Sequence, residues 1–194
     1  WDKTSEEENP YEILPQLNLF TYKMSDLIRN KLEDGIDLNG ENTEYAFDLN
    51  EFFSTGENKT FVYSRDVDKF LDALVDQEKF PFSTEDLRNK LKHTLWILDR
   101  VDSAKAMANR LKRHPIFRDY EIVLAAGDGR LDDDDEYMKS YDKVVDAISK
   151  YDKTITLSVG QLTTGVTIPQ WTGVLILSNM KSPALYMQAA FRSQ

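Results

Sequence analysis

Apolar residues change their rhythm near residue 93 of this 194-residue chain. Upstream they recur at helical spacing, first at Met24, Leu27, Ile28 and Leu32, then at Val67, Phe70, Leu71 and Leu74. The polar stretch between those runs holds Gly35, Gly40 and Gly56, with Phe52 and Phe53 inside it. Residues 24–92 are therefore expected to form a mostly helical insertion. Before them, Leu17-Asn-Leu-Phe-Thr-Tyr22 alternates as a strand does. The acidic residues 1–16, with Pro10 and Pro15, suit an extended lead-in or linker.

From His93 onward, short apolar runs alternate with helical stripes. Thr94-Leu-Trp-Ile-Leu98 reads as a strand buried on both faces. A helix comes next, with Ala104, Met107, Ala108 and Leu111 on one side, Lys112 and Arg113 at its end, and Pro115 as a stop. Glu121–Ala125 is the next strand, closed by Gly127-Asp-Gly129. A helix carrying Tyr141, Val144, Val145 and Ile148 leads to a third strand, Thr154–Ser158. A fourth spans Gly173–Leu177. Strands alternating with helices predict parallel β-α-β units and a three-layer α/β fold.

Composition narrows the function. At 41% hydrophobic the chain can bury one substantial core, and without cysteine it has neither disulfides nor thiolate metal sites. His93 and His114 are its two imidazoles, and no other ligand type flanks them at metal spacing. No apolar run approaches bilayer length, so a cytoplasmic location with no membrane partner is expected. A net charge of −10 argues against gripping nucleic acid by bulk charge. A local contact surface remains open.

Ligands collect beyond the carboxyl ends of parallel strands. The segments leaving the strands are rich in hydroxyls, glycines and helix starts: Asp99–Ser103, Gly127–Gly129, Val159–Pro169, and Ser178-Asn179 ahead of a helix capped by Ser182 and opened by Pro183. On that last helix Gln188 and Arg192 lie four residues apart and share a face, suited to a nucleotide phosphate or developing negative charge. Plainer readings stand beside these. Glycines after strands are mostly turn formers, Asp132 to Glu136 reads as a solvated loop, Asp86 near Ser83 as a helix cap, and His114 as a helix end. Trp1, Trp96 and Trp171 are too dispersed for a stacking platform.

Together the segments from His93 to Gln194 resemble the second RecA-like domain of superfamily 2 helicases and translocases. Its flavour is that of bacterial restriction-associated (type I/III-like) DNA helicases. His93–Leu98 with Asp102-Ser-Ala-Lys-Ala-Met107 after it is similar to motif IV, Thr163-Thr-Gly-Val-Thr-Ile-Pro169 to motif V, and Tyr186-Met-Gln-Ala-Ala-Phe-Arg192 to motif VI. The resemblance places residues 17–23 and 93–194 in the RecA-like lobe. It implies that Ser103, Gly127, Thr163, Thr164 and Gly165 approach the nucleic-acid backbone. Thr167, Gln188 and Arg192 would face the nucleotide, with Gln188 and Arg192 in the catalytic role. It departs at Thr167, where many relatives carry a ribose-binding aspartate, and at Phe191, which replaces a glycine.

The sequence holds no Gly-x-x-x-x-Gly-Lys-Ser/Thr phosphate loop and no Asp-Glu magnesium box at a strand end. The resemblance assigns both to an upstream lobe. ATP with Mg2+ would therefore be bound mainly there, with DNA and that lobe as partners. The chain itself would be an inactive fragment of a hydrolase. The rivals are a non-catalytic α/β interaction or regulatory domain and, less well supported, a metal-dependent nuclease using Asp132 to Glu136.

Overall fold

The computed structural model describes residues 18–21, 48–78, 80–126, 133–160 and 168–191, with side chains from Met138 onward in the fourth stretch. Four strands, β1 (His93–Ile97), β2 (Glu121–Ala125), β3 (Thr154–Ser158) and β4 (Gly173–Ile176), form one parallel sheet in the order β2-β3-β1-β4. Strand ends shift slightly from expectation: β1 includes His93, and Leu98 and Leu177 fall just outside β1 and β4. All five residues of central β3 are buried, as are four of β1. That is why β1 reads as a near-continuous apolar run, while β3 buries the hydroxyls of Thr154, Thr156 and Ser158 along with Ile155 and Leu157. At the start of β4, a Cβ on Gly173 would come within 2.7 Å of Leu91 Cδ2, so a larger residue there would have to shift the Leu91 side chain.

Three helices, α1 (Leu49–Phe52), α2 (Ser64–Asp76) and α3 (Glu85–Lys90), precede the sheet. Helix α4 (Val101–Leu111) joins β1 to β2, α5 (Asp133–Lys150) joins β2 to β3, and α6 (Pro183–Ala190) comes after β4. The chain crosses from β1 past β3 to β2, then returns to β3. Right-handed crossovers in opposite directions must put α4 and α5 on opposite faces, which gives three layers.

The first face is aromatic. Trp96, Ile155 and Leu157 of the strands pack with Met107 and Leu111 of α4 and with a phenylalanine set that includes Phe53, Phe70, Phe82 and Phe117. Phe82 lies 5.9 Å from Trp96 and 5.2 Å from Phe117, ring centre to ring centre. The stripe Val67, Phe70, Leu71 and Leu74 buries as its period requires, so α2 shares one core with the sheet. Charges seal the seam one helical turn apart. Arg110 donates to Asp68 at 2.9 Å, and His114 Nε2 lies 3.3 Å from Asp72. His114 Nδ1 accepts from the backbone N–H groups of Ile116 and Phe117, which leaves the ring proton on Nε2, towards Asp72.

The second face is smaller in scale. Leu95, Ile97, Val123 and Ala125 meet Val144 and Ala147 of α5, Ile168, Trp171, and Ala189 of α6. Here the stripe expected on α5 is corrected: Val145 is 41% exposed, while Ser140, Val144 and Ala147 form the buried line. Small residues on either side of Val144 let the helix approach the sheet, and each step along a helix turns about 100°, which carries Val145 outward.

Two further expectations change. Thr84, not Ser83, caps α3, its hydroxyl accepting from Leu87 N at 3.2 Å; Ser83 donates to the Phe80 carbonyl instead. Asn18 to Thr21 form no strand, and Leu19 and Phe20 stand exposed. Alternation gives a strand only where an edge pairs with it. Residues 1–17 and 22–47, including the stripe at Met24 to Leu32, lie outside the described residues.

Candidate functional site at the carboxyl edge of the sheet

All four strands end on one edge. Ile97 is level with Ser158 and Ile176, and Ala125 with Ser158, while Leu98 N donates to the Ser158 carbonyl at 2.9 Å. From the adjacent ends of β1 and β3 the chain departs in opposite directions, β1 towards β2 and β3 towards β4. In an open parallel sheet the usual ligand position lies beside such strand ends, where successive connections reverse direction. Residues 98–103 and 159–160 leave the sheet there. Gly160, at φ +71°, turns the chain away from β3 in a conformation that favours glycine.

Of the residues singled out in the sequence, Ser103 and Gln188 fall among those described. Ser103 is the third residue of α4, beside the end of β1, and is buried at 2% exposure. Gln188 is exposed on α6, whose start obeys the sequence signal: the Ser182 hydroxyl accepts from Leu185 N at 3.4 Å, and Pro183 opens the helix. Helix α6 ends at Ala190. Gly127, Thr163, Thr164, Gly165, Thr167 and Arg192 lie outside the described residues, as does Asp132. The backbone places Asp133 to Glu136 in the first turn of α5. Among the described residues no group of His, Cys, Asp and Glu could hold a metal ion, and no helix is long and apolar enough to cross a membrane.

One feature of this edge escaped the sequence. Asp48 caps α1, its Oδ1 accepting from Asn50 N and Glu51 N at 2.9 and 3.1 Å. The same oxygen accepts from Asn179 Nδ2 at 2.8 Å. Asn179 N donates to Asn50 Oδ1 at 2.9 Å, and its own Oδ1 accepts from Leu49 N at 3.3 Å. These bonds clasp α1 to the loop between β4 and α6. A second, weaker tie joins Lys59 to Asp102 on α4 across 3.9 Å. Lys59 holds φ at +58°, an uncommon conformation for a lysine. The hairpin-like turn 55–61 thus reaches the start of α4, while α1 reaches the approach to α6. Asp48 with Glu51 has the spacing of a capping box, the one local signal of this clasp in the sequence.

Titration is perturbed at the opposite, amino edge. Burial lowers the His93 pKa below its ordinary 6.5, opposed by the Asp152 carboxylate; its Nδ1 lies 3.1 Å from Thr154 Oγ1. Lys92 donates to Asp152 at 2.6 Å and holds that carboxyl below its usual range. Burial pushes the Tyr120 hydroxyl up to about 12.

Among known proteins, the chain is 28% identical to a Mycoplasma pneumoniae protein provisionally named as the C-terminus of a type II restriction enzyme and methyltransferase. The similarity covers 95% of this chain, which spans 28% of that relative's length. No family model matches the chain, and no solved structure matches it significantly.

Proposed function

We propose that this chain is the C-terminal motor lobe of an ATP-dependent DNA helicase or translocase serving a restriction system. The observation that carries the restriction setting is the similarity, along nearly the whole chain, to the Mycoplasma protein bearing a restriction-enzyme name. The motor reading is supported by where the motif-like segments fall. The segment similar to motif IV makes β1 and the start of α4, the one similar to motif V comes after adjacent β3, and most of the one similar to motif VI is α6.

In this reading Thr163, Thr164, Gly165 and Gly127 meet the DNA backbone. Ser103, buried at rest, needs the start of α4 uncovered to join them. Thr167, Gln188 and Arg192 face a nucleotide shared with an upstream lobe. That lobe supplies the phosphate loop and the magnesium ligands, none of which this chain contains. An arginine that reaches the shared site only on closure adds positive charge where phosphoryl transfer spreads negative charge.

The test is DNA-stimulated ATP hydrolysis by the full-length protein, wild type against Arg192→Ala. We expect turnover to fall roughly 10³-fold or more, with folding and DNA binding retained. Undiminished turnover would remove Arg192 from the mechanism. A wild type without ATPase activity would turn the reading to the second one, a non-catalytic α/β interaction domain. A specific observation favours that alternative. The segments leaving the strands (98–103, 126–136, 159–168 and 177–183) carry eight Asp and Glu against three Lys and Arg. An acidic edge is poor ground for DNA.

A further inference from the structure

Charge is divided between the two edges of the sheet. The segments that lead into the strands (88–93, 112–121, 150–154 and 169–173) carry eight Lys and Arg against three Asp and Glu, a net +5 in a chain of −10. The segments that leave the strands have a net −5. Strand register puts the basic set on one edge: His93, Thr154 and Glu121 are level, and Thr94 is level with Gly173.

Some of this charge is spoken for. Lys92 is bound to Asp152, Lys150 to Asp146, and Arg118 lies 4.0 Å from Asp119. Lys153 stands 6.0 Å from the centre of the Tyr120 ring. Lys90, Lys112 and Arg113 are exposed and have no carboxylate partner among the described residues. Basic residues at helix ends also offset helix dipoles, which accounts for Arg88, Lys90 and Lys150 in the last turns of α3 and α5. The same effect reaches Lys112 and Arg113 at the end of α4, but it does not account for Arg118 or for Lys153 ahead of β3.

We propose that this amino edge, centred on Lys112 and Arg113, is a sequence-independent contact for the nucleic-acid backbone. It is distinct from the carboxyl-edge site. The inference rests on the reading that the protein acts on DNA, but not on ATP hydrolysis. Exposed cations beside one another, without carboxylate partners among the described residues, suit regularly spaced phosphates, which bind by displacing counterions and need no shaped pocket. The segments that leave the strands carry no such basic surplus, so bulk attraction of a duplex favours the amino edge, whereas contacts at the carboxyl edge rest on local groups.

The experiment measures binding of a 30-base-pair duplex to the full-length protein by fluorescence anisotropy across a KCl series. The variants are K112E/R113E, the milder K112Q/R113Q, and a control, K139E/K143E, which makes the same charge change on the exposed side of α5. We expect K112E/R113E to bind at least about tenfold more weakly at 0.1 M KCl, its log–log salt slope flattened by about 2, near the 0.9 per phosphate contact expected for B-DNA. K112Q/R113Q should fall between it and wild type, and the control should match wild type. Unchanged affinity and slope in K112E/R113E would overturn the surface alone, and leave an acidic protein segment as its better-matched ligand. An equal loss in the control would overturn it as a bulk-charge effect. A wild type that binds no duplex even at low salt would sink the reading that the protein acts on DNA, and the surface with it.

Discussion

Against one face of the sheet stand Phe82, Phe117 and Trp96 in mutual ring contact, whereas the other face meets Val144, Ala147 and Ala189. The aromatic face is closed by residues drawn from 48–92, far from the strands in sequence, and is tied across α2 and α4 by Asp68–Arg110 and Asp72–His114. Each face carries polar atoms into its interior: Thr156 Oγ1 and Trp171 Nε1 on the second, and Tyr120 Oη on the first, are buried without a hydrogen-bond partner among the described residues. The described elements next in sequence to most of the candidate site residues pack on this second face. Gly127 precedes α5, Thr163 to Thr167 precede Ile168, and Gln188 and Arg192 lie in or just beyond α6. The difference teaches a division of labour: one face is filled by large aromatic rings, while the other is built from smaller side chains on the elements that adjoin the candidate segments in sequence.

The sharpest test of that division is Phe82→Ala against Val144→Ala, both fully buried. Removing the Phe82 ring should cost about 3–5 kcal/mol of unfolding free energy. Val144→Ala should cost about 2 kcal/mol, by the loss of two methyl groups. Denaturant titration reads both. An equal or larger loss at Val144 would break the comparison.

Next in size is Thr156→Val, which keeps the shape and removes the orphan hydroxyl. We expect a gain of about 1 kcal/mol, since a buried hydroxyl without a partner costs about that much or more. A loss of stability instead would mean that a polar partner satisfies Thr156 and that the second face is better made than its packing suggests. The measurement is the same titration, with the urea slope checked for constancy.

Much of this architecture was legible in the sequence, for physical reasons. A strand buried on both faces leaves an unbroken apolar run, as β1 does; the short apolar runs of the edge strands β2 and β4 and the Thr-Ile-Thr-Leu-Ser of β3 were likewise visible to within a residue. The stripe at Val67, Phe70, Leu71 and Leu74 was equally clear because one face of α2 meets the core. Periodicity misled at Val145, since 141, 144, 145 and 148 satisfy the helical template while the true seam uses Ser140, which no apolar pattern flags. Pairing at long range was not legible at all. Nothing local tells Asp48 that its carboxylate will hold Asn179, 131 positions away, or tells Phe82 that it will lie on Trp96. Of the candidate site, the Ser182-Pro183 helix start was readable because capping is local chemistry. The contacts of Thr163 to Thr167 and of Arg192 lie outside the described residues.

The smallest expected effect concerns the amino end of the second face, where His93 meets Thr154 at the foot of the polar line along β3. Its folded-state pKa is lowered, chiefly by burial, with Asp152 raising it and Lys92 lowering it. The folded protein therefore binds this proton less readily than the unfolded chain. Its contribution to stability is full above the ordinary value of 6.5 and is lost as pH falls from there through the lowered value. Asp152 is also depressed, by its hydrogen bond from Lys92, so its contribution persists above its ordinary 3.8 and fades only below it. The two groups consequently act in separate windows. Melting temperature should decline between pH 6.5 and 5 more steeply in wild type than in His93→Gln, which keeps a polar group but does not titrate. Parallel curves for the two proteins would show that charge at His93 reaches solvent freely, and would remove the amino end of the second face from the account of where this fold is weak.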